Sequence, residues 1–424
     1  MQLIESNIEG LERLASMVEA QKAKPGYAMR TWFYQSPLVY ETELQAILFK
    51  SWLCAGHISQ IPDAGDYFLF DLDQESIIVC RDEEGQIHAL FNNCRHRGSR
   101  VCEHAHGKRK TFVCPYHGWV YELNGALKSA RQMDVVEGFV QADHGLGRAQ
   151  VNVCHGFILI NCDHEAAPIA SEVESISGPL SAHEPEQWKI AHEQTYTVDA
   201  NWKLALENYL ECYHCATAHR AYAKLHTISD LEDNIKQETD EMLARCEDIT
   251  GVAGIGEVVY QVYQHADSAG GGVECSRYAL YPGHQTGSED GQAVAPLLGK
   301  LQGYDGGLAD FQFGPLTFMI VYPDHGVMYR FLPRDVSRTD MLITWFVRGD
   351  AEEASDYDKQ KLTWLWHRTT LEDEYIIRRN AEGVNSRYYQ PGPYHTEYEY
   401  ACLDFVQWYL ARLTEASQQE QHHG

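Results

Sequence analysis

Two short stretches, Cys94-Arg95-His96 and Cys114-Pro115-Tyr116-His117, constrain this chain more than anything else in it. Each sets one cysteine beside one histidine, and 17 residues lie between His96 and Cys114. Arg97-Gly98 follows the first pair, and the run from Gly118-Trp119 to Asn124-Gly125 follows the second. Whatever the fold, it must bring two loops together so that two sulfurs and two imidazoles serve one centre.

Zinc accepts two Cys and two His, but zinc fingers usually pair Cys with Cys and His with His. Here each loop is mixed. That arrangement suits a two-iron, two-sulfur cluster with both Cys on one iron and both His on the other, the Rieske ligand set, whose neutral imidazoles raise the potential above that of an all-Cys ferredoxin. Cys94, His96, Cys114 and His117 are therefore the expected cluster ligands. Such a cluster passes single electrons, so the chain needs a destination for them.

The chain has 424 residues, enough for two or three domains. Hydrophobic residues at 44% and charged residues at 22% are ordinary for a globular protein. No run of 18 apolar residues occurs, and Met1–Ser6 lacks the basic-then-apolar pattern of a signal peptide, so a cytoplasmic protein without a membrane span is expected. Twelve cysteines are too few for a disulfide scaffold; Cys102, Cys154, Cys162 and most others outside the cluster loops are expected to be thiols. A formal charge of −27 argues against nucleic-acid binding. It suits a cationic substrate or a basic electron donor, as well as an ordinary acidic surface.

A second candidate centre lies in Asn201–His219. Trp202, Ala205, Leu206, Tyr209 and Leu210 recur at helical spacing without Gly or Pro, and Asn208, Glu211 and His214 fall three apart, predicting a polar stripe on one helical face. His214 and His219 are five apart, which on a straight helix turns them about 140° from each other, at ~100° per residue. Binding one metal requires a break between them, expected near residues 216–218. Two His and one carboxylate make the facial triad of mononuclear iron(II) oxygenases. Asp373, in Thr369-Thr370-Leu371-Glu372-Asp373-Glu374, is the preferred third ligand, with Glu372 and Glu374 open on sequence alone.

Taken in order, Cys94-x-His96-Arg97-Gly98, Cys114-Pro115-Tyr116-His117-Gly118-Trp119 and Glu207-Asn208-Tyr209-x-Glu211-x-Tyr213-His214-x4-His219 resemble the large (alpha) subunit of Rieske non-haem iron oxygenases. The resemblance spans roughly residues 30–415. It implies a [2Fe-2S] cluster on Cys94, His96, Cys114 and His117, and a mononuclear Fe(II) on His214, His219 and Asp373. Glu211 stands where the family has an acidic residue bridging the two centres, and Asn208 matches an asparagine near the iron. The implied fold is α+β: an antiparallel β Rieske domain (41–165) and a catalytic domain with a central antiparallel sheet flanked by helices (166–424), with residues 1–40 a helical lead-in. The family implies a homotrimer in which one subunit's cluster faces its neighbour's iron.

Glu rather than Asp at position 211, and the run Asn92–Arg100, resemble the branch acting on choline, carnitine, glycine betaine and proline betaine (stachydrine). That branch implies hydroxylation of an N-methyl group and loss of formaldehyde. A quaternary ammonium gains from aromatic faces, and Tyr304, Phe311, Phe313, Phe318 and Tyr322 are candidates for such a pocket. Gly251-x2-Gly254-x-Gly256 is the wrong pattern for a dinucleotide loop. A separate NAD(P)H-dependent flavin and iron–sulfur reductase is therefore expected, with O2 as oxidant. Two other readings are an aromatic ring-hydroxylating dioxygenase forming a cis-diol and a Rieske electron carrier. Asn208–His219 speaks against the carrier, which needs no second metal.

Strands are predicted at residues 76–80, 157–160, 316–322, 327–332 and 341–347, helices at about 354–381 and 398–413, a polar linker at 166–185, and loops through the Gly-rich stretch from about 225 to 310.

Overall fold

The structure, a computed structural model, describes residues 2–230, 232–260 and 272–423. It divides into two compact units, one formed by residues 53–167 and the other by residues 1–52 together with 168–424. Residues 41–52, which the sequence reading set with the cluster domain, pack with the larger unit.

The smaller unit is antiparallel β. Seven strands pair in one sheet, and three short strands, Phe112–Val113, Val120–Tyr121 and Leu127–Ser129, form a second. Alternation decides its core: Ile78 and Cys80 on one strand and Leu90 on the next turn inward, where Tyr67, Phe112, Trp119 and Tyr121 join them. The first Cys/His loop follows the Ile87–Phe91 strand, and the second joins Phe112–Val113 to Val120–Tyr121. Both loops thus hang from paired strands over one apolar core, which fixes their bases.

The larger unit is built on a seven-stranded antiparallel sheet. Strands Val259–Tyr260, Val273–Ala279, Gly307–Phe313, Thr317–Val321, Gly326–Asp335 and Arg338–Arg348 follow one another as a meander, and Trp188–Val198 closes the far edge against Arg338–Arg348. Thr317–Val321 is buried at every position, as is Gly326–Pro333, so these central strands are covered on both faces. The helix Trp202–Tyr209 packs on Gly326–Asp335, and the long helix Lys359–Val384 on Trp188–Val198. The architecture is α+β, as expected.

Local chemistry explains the elements that carry the site. Asn201 caps the Trp202–Tyr209 helix by accepting the Lys203 N–H at 3.1 Å, while its own amide donates to the Val336 carbonyl at 2.8 Å. Lys203 is fully buried, and its ammonium lies 2.6 Å from the equally buried Glu43 carboxylate. Trp202 Nε1 donates to Glu43 at 2.8 Å, and the Tyr409 hydroxyl donates to it as well. One buried ion pair so ties the lead-in segment, the site helix and the closing helix Tyr400–His423 together. Asp358 caps the Lys359–Val384 helix through the Lys361 N–H. Leu362, Leu365, Trp366, Thr369, Thr370 and Ile377 form that helix's buried stripe.

Two further expectations need correction. The stretch expected to be a linker contains the helix Ala170–Ser181; Val173, Ile176 and Leu180 give it a buried stripe that outweighs Pro179 near its end. Residues 225–310, expected to be loops, include the helix Glu232–Thr250 and two strands before Gly307–Phe313. Gly270 and Gly271 lie outside the described residues. Among the described residues no helix is long and apolar enough to cross a membrane.

Candidate metal centres

The two Cys/His loops share one backbone design. In each, the cysteine N–H donates to the carbonyl five residues on (Ser99, Trp119), and the glycine N–H four residues on (Gly98, Gly118) donates back to the cysteine carbonyl. Both glycines take positive φ, +75° and +71°, which is why glycine closes each loop. The cysteines end up buried and His117 exposed. The two imidazoles face one another with Nδ1 atoms 3.1 Å apart, and His96 stacks on Trp119.

Tyr121 accepts the Arg95 N–H at 3.1 Å, so its own proton is free to donate to the Cys94 sulfur, also at 3.1 Å. Burial raises the Cys94 thiol; a metal-bound thiolate with one hydrogen-bond donor answers that cost.

The donor geometry tests zinc against the cluster. A tetrahedral zinc brings its ligand atoms within about 4 Å of one another. Among the described residues, the group with three ligand atoms within 4.8 Å is His214, His219 and Asp373, not three of the loop residues. The imidazoles of His96 and His117 meet each other and the thiols of Cys94 and Cys114 interact with each other, a pairing that suits a two-iron cluster instead.

In the larger unit, the predicted stripe is not helical throughout. The helix stops at Tyr209, and a turn over residues 210–214 leads into Cys215–Ala218, with Cys212 and Cys215 joined by a disulfide, Cα atoms 4.9 Å apart. These two cysteines depart from the thiol expectation because the turn holds their backbones within bonding reach. The break between the histidines also lies elsewhere than expected. Cys215–Ala218 is helical, and His219 itself, at φ −120° and ψ 73°, interrupts the chain before Arg220–Ala223 resumes.

That double interruption aims both imidazoles at one point. His214 Nε2 and His219 Nε2 are 3.1 Å apart, and Asp373 Oδ1 lies 3.5 Å from the first and 2.9 Å from the second. Each histidine turns its other nitrogen to a different carboxylate: His214 Nδ1 to Glu211 at 2.5 Å, His219 Nδ1 to Glu372 at 3.1 Å. Such partners fix tautomer and ring orientation. Glu372, a rival for the third ligand on sequence, instead faces the outer nitrogen of His219 and is itself held by Arg368. Asn208 Nδ2 lies 3.4 Å from His214 Nε2.

Burial disfavours a charged His214, but the hydrogen bonds with Asp373 and Glu211 outweigh it and raise its pKa to about 9. Burial likewise works against an ionised Asp373, yet the two imidazoles hold its carboxyl below the usual range. Two imidazoles and an ionised carboxylate converging on one point are a donor set that could hold iron(II).

The triad opens into a cavity of about 320 Å³ inside the larger unit. Tyr209, Tyr222, Phe318 and Trp366 supply its aromatic wall. Of the aromatic residues expected to line a pocket, only Phe318 does so among the described residues. Phe311 and Phe313 are 0% and 1% exposed in the core, because alternation along Gly307–Phe313 turns them away from the face that carries Asp310 and Gln312. Tyr322 is buried against His226, and Tyr304 lies off the cavity.

Residues 185–415 match the family described as the ring hydroxylating alpha subunit (catalytic domain), and residues 51–140 match the Rieske [2Fe-2S] domain. The chain is 34% identical over 388 residues to the glycine betaine monooxygenase oxygenase subunit of Chromohalobacter salexigens, covering 90% of this chain and 85% of the relative. Its fold resembles that of the quaternary ammonium Rieske monooxygenase CntA in complex with an inhibitor, with a TM-score of 0.70 at 22% identity over 92% of this chain and 96% of the other. It also resembles naphthalene 1,2-dioxygenase from a Rhodococcus species, with a TM-score of 0.67 at 18% identity over 96% and 98%.

The fold and both centres therefore define an iron–sulfur oxygenase subunit. The chain belongs to the Rieske non-haem iron oxygenases, as an alpha subunit carrying a [2Fe-2S] cluster and a mononuclear iron. The 34% identical relative is named as the oxygenase subunit of a monooxygenase.

Proposed function

We propose that this oxygenase hydroxylates an N-methyl group of a quaternary ammonium substrate, Cys94, His96, Cys114 and His117 holding the cluster and His214, His219 and Asp373 the iron. The observation that carries the reading is the meeting of that triad with a cavity walled by Tyr209, Tyr222, Phe318 and Trp366. Aromatic faces attract a cation whose methyl groups cannot donate hydrogen bonds. The 34% identical relative is named for glycine betaine.

When bound, the mononuclear iron supplies the oxygen chemistry, using electrons from the cluster. The overall change takes one N-methyl group, O2, two electrons and two protons to an N-hydroxymethyl group and water. The hydroxymethyl ammonium then loses formaldehyde and a proton, leaving a tertiary amine. Here the chain's residues have three tasks. Glu211 and Glu372 hold the two imidazoles in register. The aromatic wall keeps the methyl group against the triad and excludes water. Tyr121 donates to the Cys94 sulfur, which tunes the cluster.

We further propose a homotrimer in which the His96–His117 edge of one subunit meets Glu211 of the next; the exposure of His117 supports it. The reductase is proposed to be an NAD(P)H-dependent flavin and iron–sulfur protein, and the compartment the cytoplasm. Turnover with a matched reductase tests the reading: formaldehyde and a demethylated amine should form from quaternary ammonium compounds. A cis-diol from an aromatic hydrocarbon, with no formaldehyde from any ammonium compound, would replace it by the dioxygenase reading.

A further inference from the structure

The cavity beside the triad has a one-sided charge. Glu274, Asp310, Glu397 and Asp404 line it in addition to Glu211 and Asp373, and none of its described lining residues is Lys or Arg. The undescribed residues 261–271 contain neither residue type. Two of these carboxylates, Glu274 and Asp310, are half-buried on the sheet rather than exposed, and the strand register puts them there.

Ser276 pairs with Asp310 and Glu274 with Gln312 across neighbouring antiparallel strands. Since side chains alternate, Glu274, Ser276 and Tyr278 share a face with Asp310 and Gln312. The next strand adds Phe318 opposite Gln312 and Ile320 opposite Asp310. Glu274 and Asp310 are therefore diagonal neighbours, about 7–8 Å apart at the backbone, on a floor shared with Ser276, Gln312, Phe318 and Ile320.

Their partners differ. Glu274 takes a hydrogen bond from the Ser276 hydroxyl at 2.5 Å. Asp310 takes none from the described residues: burial and its neighbour Glu274 act on it, and both disfavour its charge. Close by, the Tyr209 hydroxyl is buried without a hydrogen-bond partner among the described residues, and it feels Asp310 electrostatically. An unpartnered carboxylate and an unpartnered phenol on one cavity wall are costly unless a ligand completes them. A cation placed among these aromatic rings would do so.

Resting on the quaternary ammonium reading above, we propose that the cavity selects a net cation without a carboxylate, such as a quaternary ammonium alcohol or a simple tetraalkylammonium, with Asp310 and Glu274 as its counter-charges. A zwitterion such as a betaine brings its own carboxylate within a few bonds of the ammonium. That group would meet Glu274, Asp310, Glu397 and Asp404 and find no described Lys or Arg to answer it. The positive charge would be recognised and would draw Asp310 and Glu274 into their ionised forms, while the negative end would be desolvated with no described cation to answer it. Charge sign, rather than methyl count, is then what this site reads, and it separates this chain from a relative named for glycine betaine.

The test is calorimetric titration of the full-length oxygenase, with cluster and iron intact, using choline, tetramethylammonium and glycine betaine. Choline and tetramethylammonium are expected to bind at least about tenfold more tightly than glycine betaine. Asp310→Asn is expected to cost the two cations about tenfold or more while leaving glycine betaine unchanged or improved, with Glu274→Gln smaller in the same direction. The wild-type ranking stands independently of how the variants fold. Tighter binding of glycine betaine than of choline, or wild-type cation affinity in a folded Asp310→Asn, overturns the proposal. If glycine betaine wins and releases formaldehyde, the demethylase reading survives without this one. If naphthalene binds and no ammonium compound does, both fail.

Discussion

The Nδ1 of His214 stands 2.5 Å from Oε1 of Glu211, while the other oxygen of that carboxylate accepts the backbone N–H groups of Tyr213 and His214. One side chain therefore shapes the turn that carries a proposed iron ligand and orients the ligand's ring. Glu211→Gln keeps an oxygen for these donors but removes the charge. Iron content and the visible spectrum of the cluster should match the wild type, while turnover should fall about 10–100-fold, as for other partners of metal-bound imidazoles. Iron analysis and steady-state rates on one preparation check this, and wild-type turnover would remove Glu211 from any role beyond folding.

Asp373 is the test of the third ligand. It lies 2.9 Å from His219 Nε2, whereas Glu372 reaches only His219 Nδ1. Asp373→Ala should therefore lose the mononuclear iron and all oxygenation while keeping the cluster's absorbance and electron uptake from the reductase. Glu372→Ala should retain iron, bound about 10–100-fold more weakly. If the two variants lost iron equally, the assignment of ligand and orienting group would fall.

These roles were legible to different depths in the sequence. The cluster loops and the two histidines could be read because ligand identity is local: a Cys or His in a short motif keeps its chemistry whatever the fold does around it. The shape of the second site could not. Asn208, Glu211 and His214 look like a helical stripe, yet the helix ends at Tyr209 and a turn presents Glu211 and His214.

Asp373 did carry a signal. It continues the stripe of Trp366, Thr369 and Thr370 towards Ile377, so it interrupts a buried face. Glu372 stands one position round from it and pairs with Arg368. Asp310 and Glu274 were illegible for a deeper reason. Period-two alternation separates Asp310 and Gln312 from Phe311 and Phe313, but which face looks into a cavity depends on the helices packed above the sheet.

The cluster offers an electrochemical test. The Tyr121 hydroxyl lies 3.1 Å from the Cys94 sulfur and, because it already accepts the Arg95 N–H, directs its proton to that sulfur. Hydrogen bonds to cluster sulfurs stabilise the added electron and raise the potential. Tyr121→Phe should keep the ring in the core and lower the midpoint potential of the cluster, measured by optical redox titration. An unchanged potential would mean that Cys94 is not a cluster ligand or that the hydroxyl does not donate to it.

The buried pair Glu43–Lys203 links the site to stability. Both side chains are 0% exposed, so Glu43→Ala strands an ammonium in the core and also takes away the partner of Trp202 Nε1. Breaking such a pair costs about 3–5 kcal/mol. A lower melting temperature by circular dichroism is expected. Lys203 stands in the first turn of the helix that delivers Asn208 to the site, so weaker iron retention should accompany it. Replacing Glu43 and Lys203 together by Gln and Met should destabilise less than Glu43→Ala, because no uncompensated charge remains.

Iron uptake should depend on pH with a sign set by His214. Burial opposes its charge, but Asp373 and Glu211 raise its pKa to about 9 in the metal-free protein, above the ordinary value of ~6.5. The stabilisation that its bound proton gives the metal-free fold is full below ~6.5 and is lost as the pH rises through about 9. His219 is raised as well, burial again being outweighed by Asp373 and Glu372, whereas Asp373 is held low and stays ionised across this range. Iron binds neutral imidazole, so it must displace these protons. Its affinity for protein that keeps the cluster but lacks the mononuclear metal should climb about tenfold or more per pH unit from ~7 towards 9 and then level off. Anaerobic iron(II) titrations in buffers of different ionisation enthalpy measure both the slope and the protons released. A flat profile, with no proton released near pH ~7, would show that the carboxylates do not hold His214 protonated.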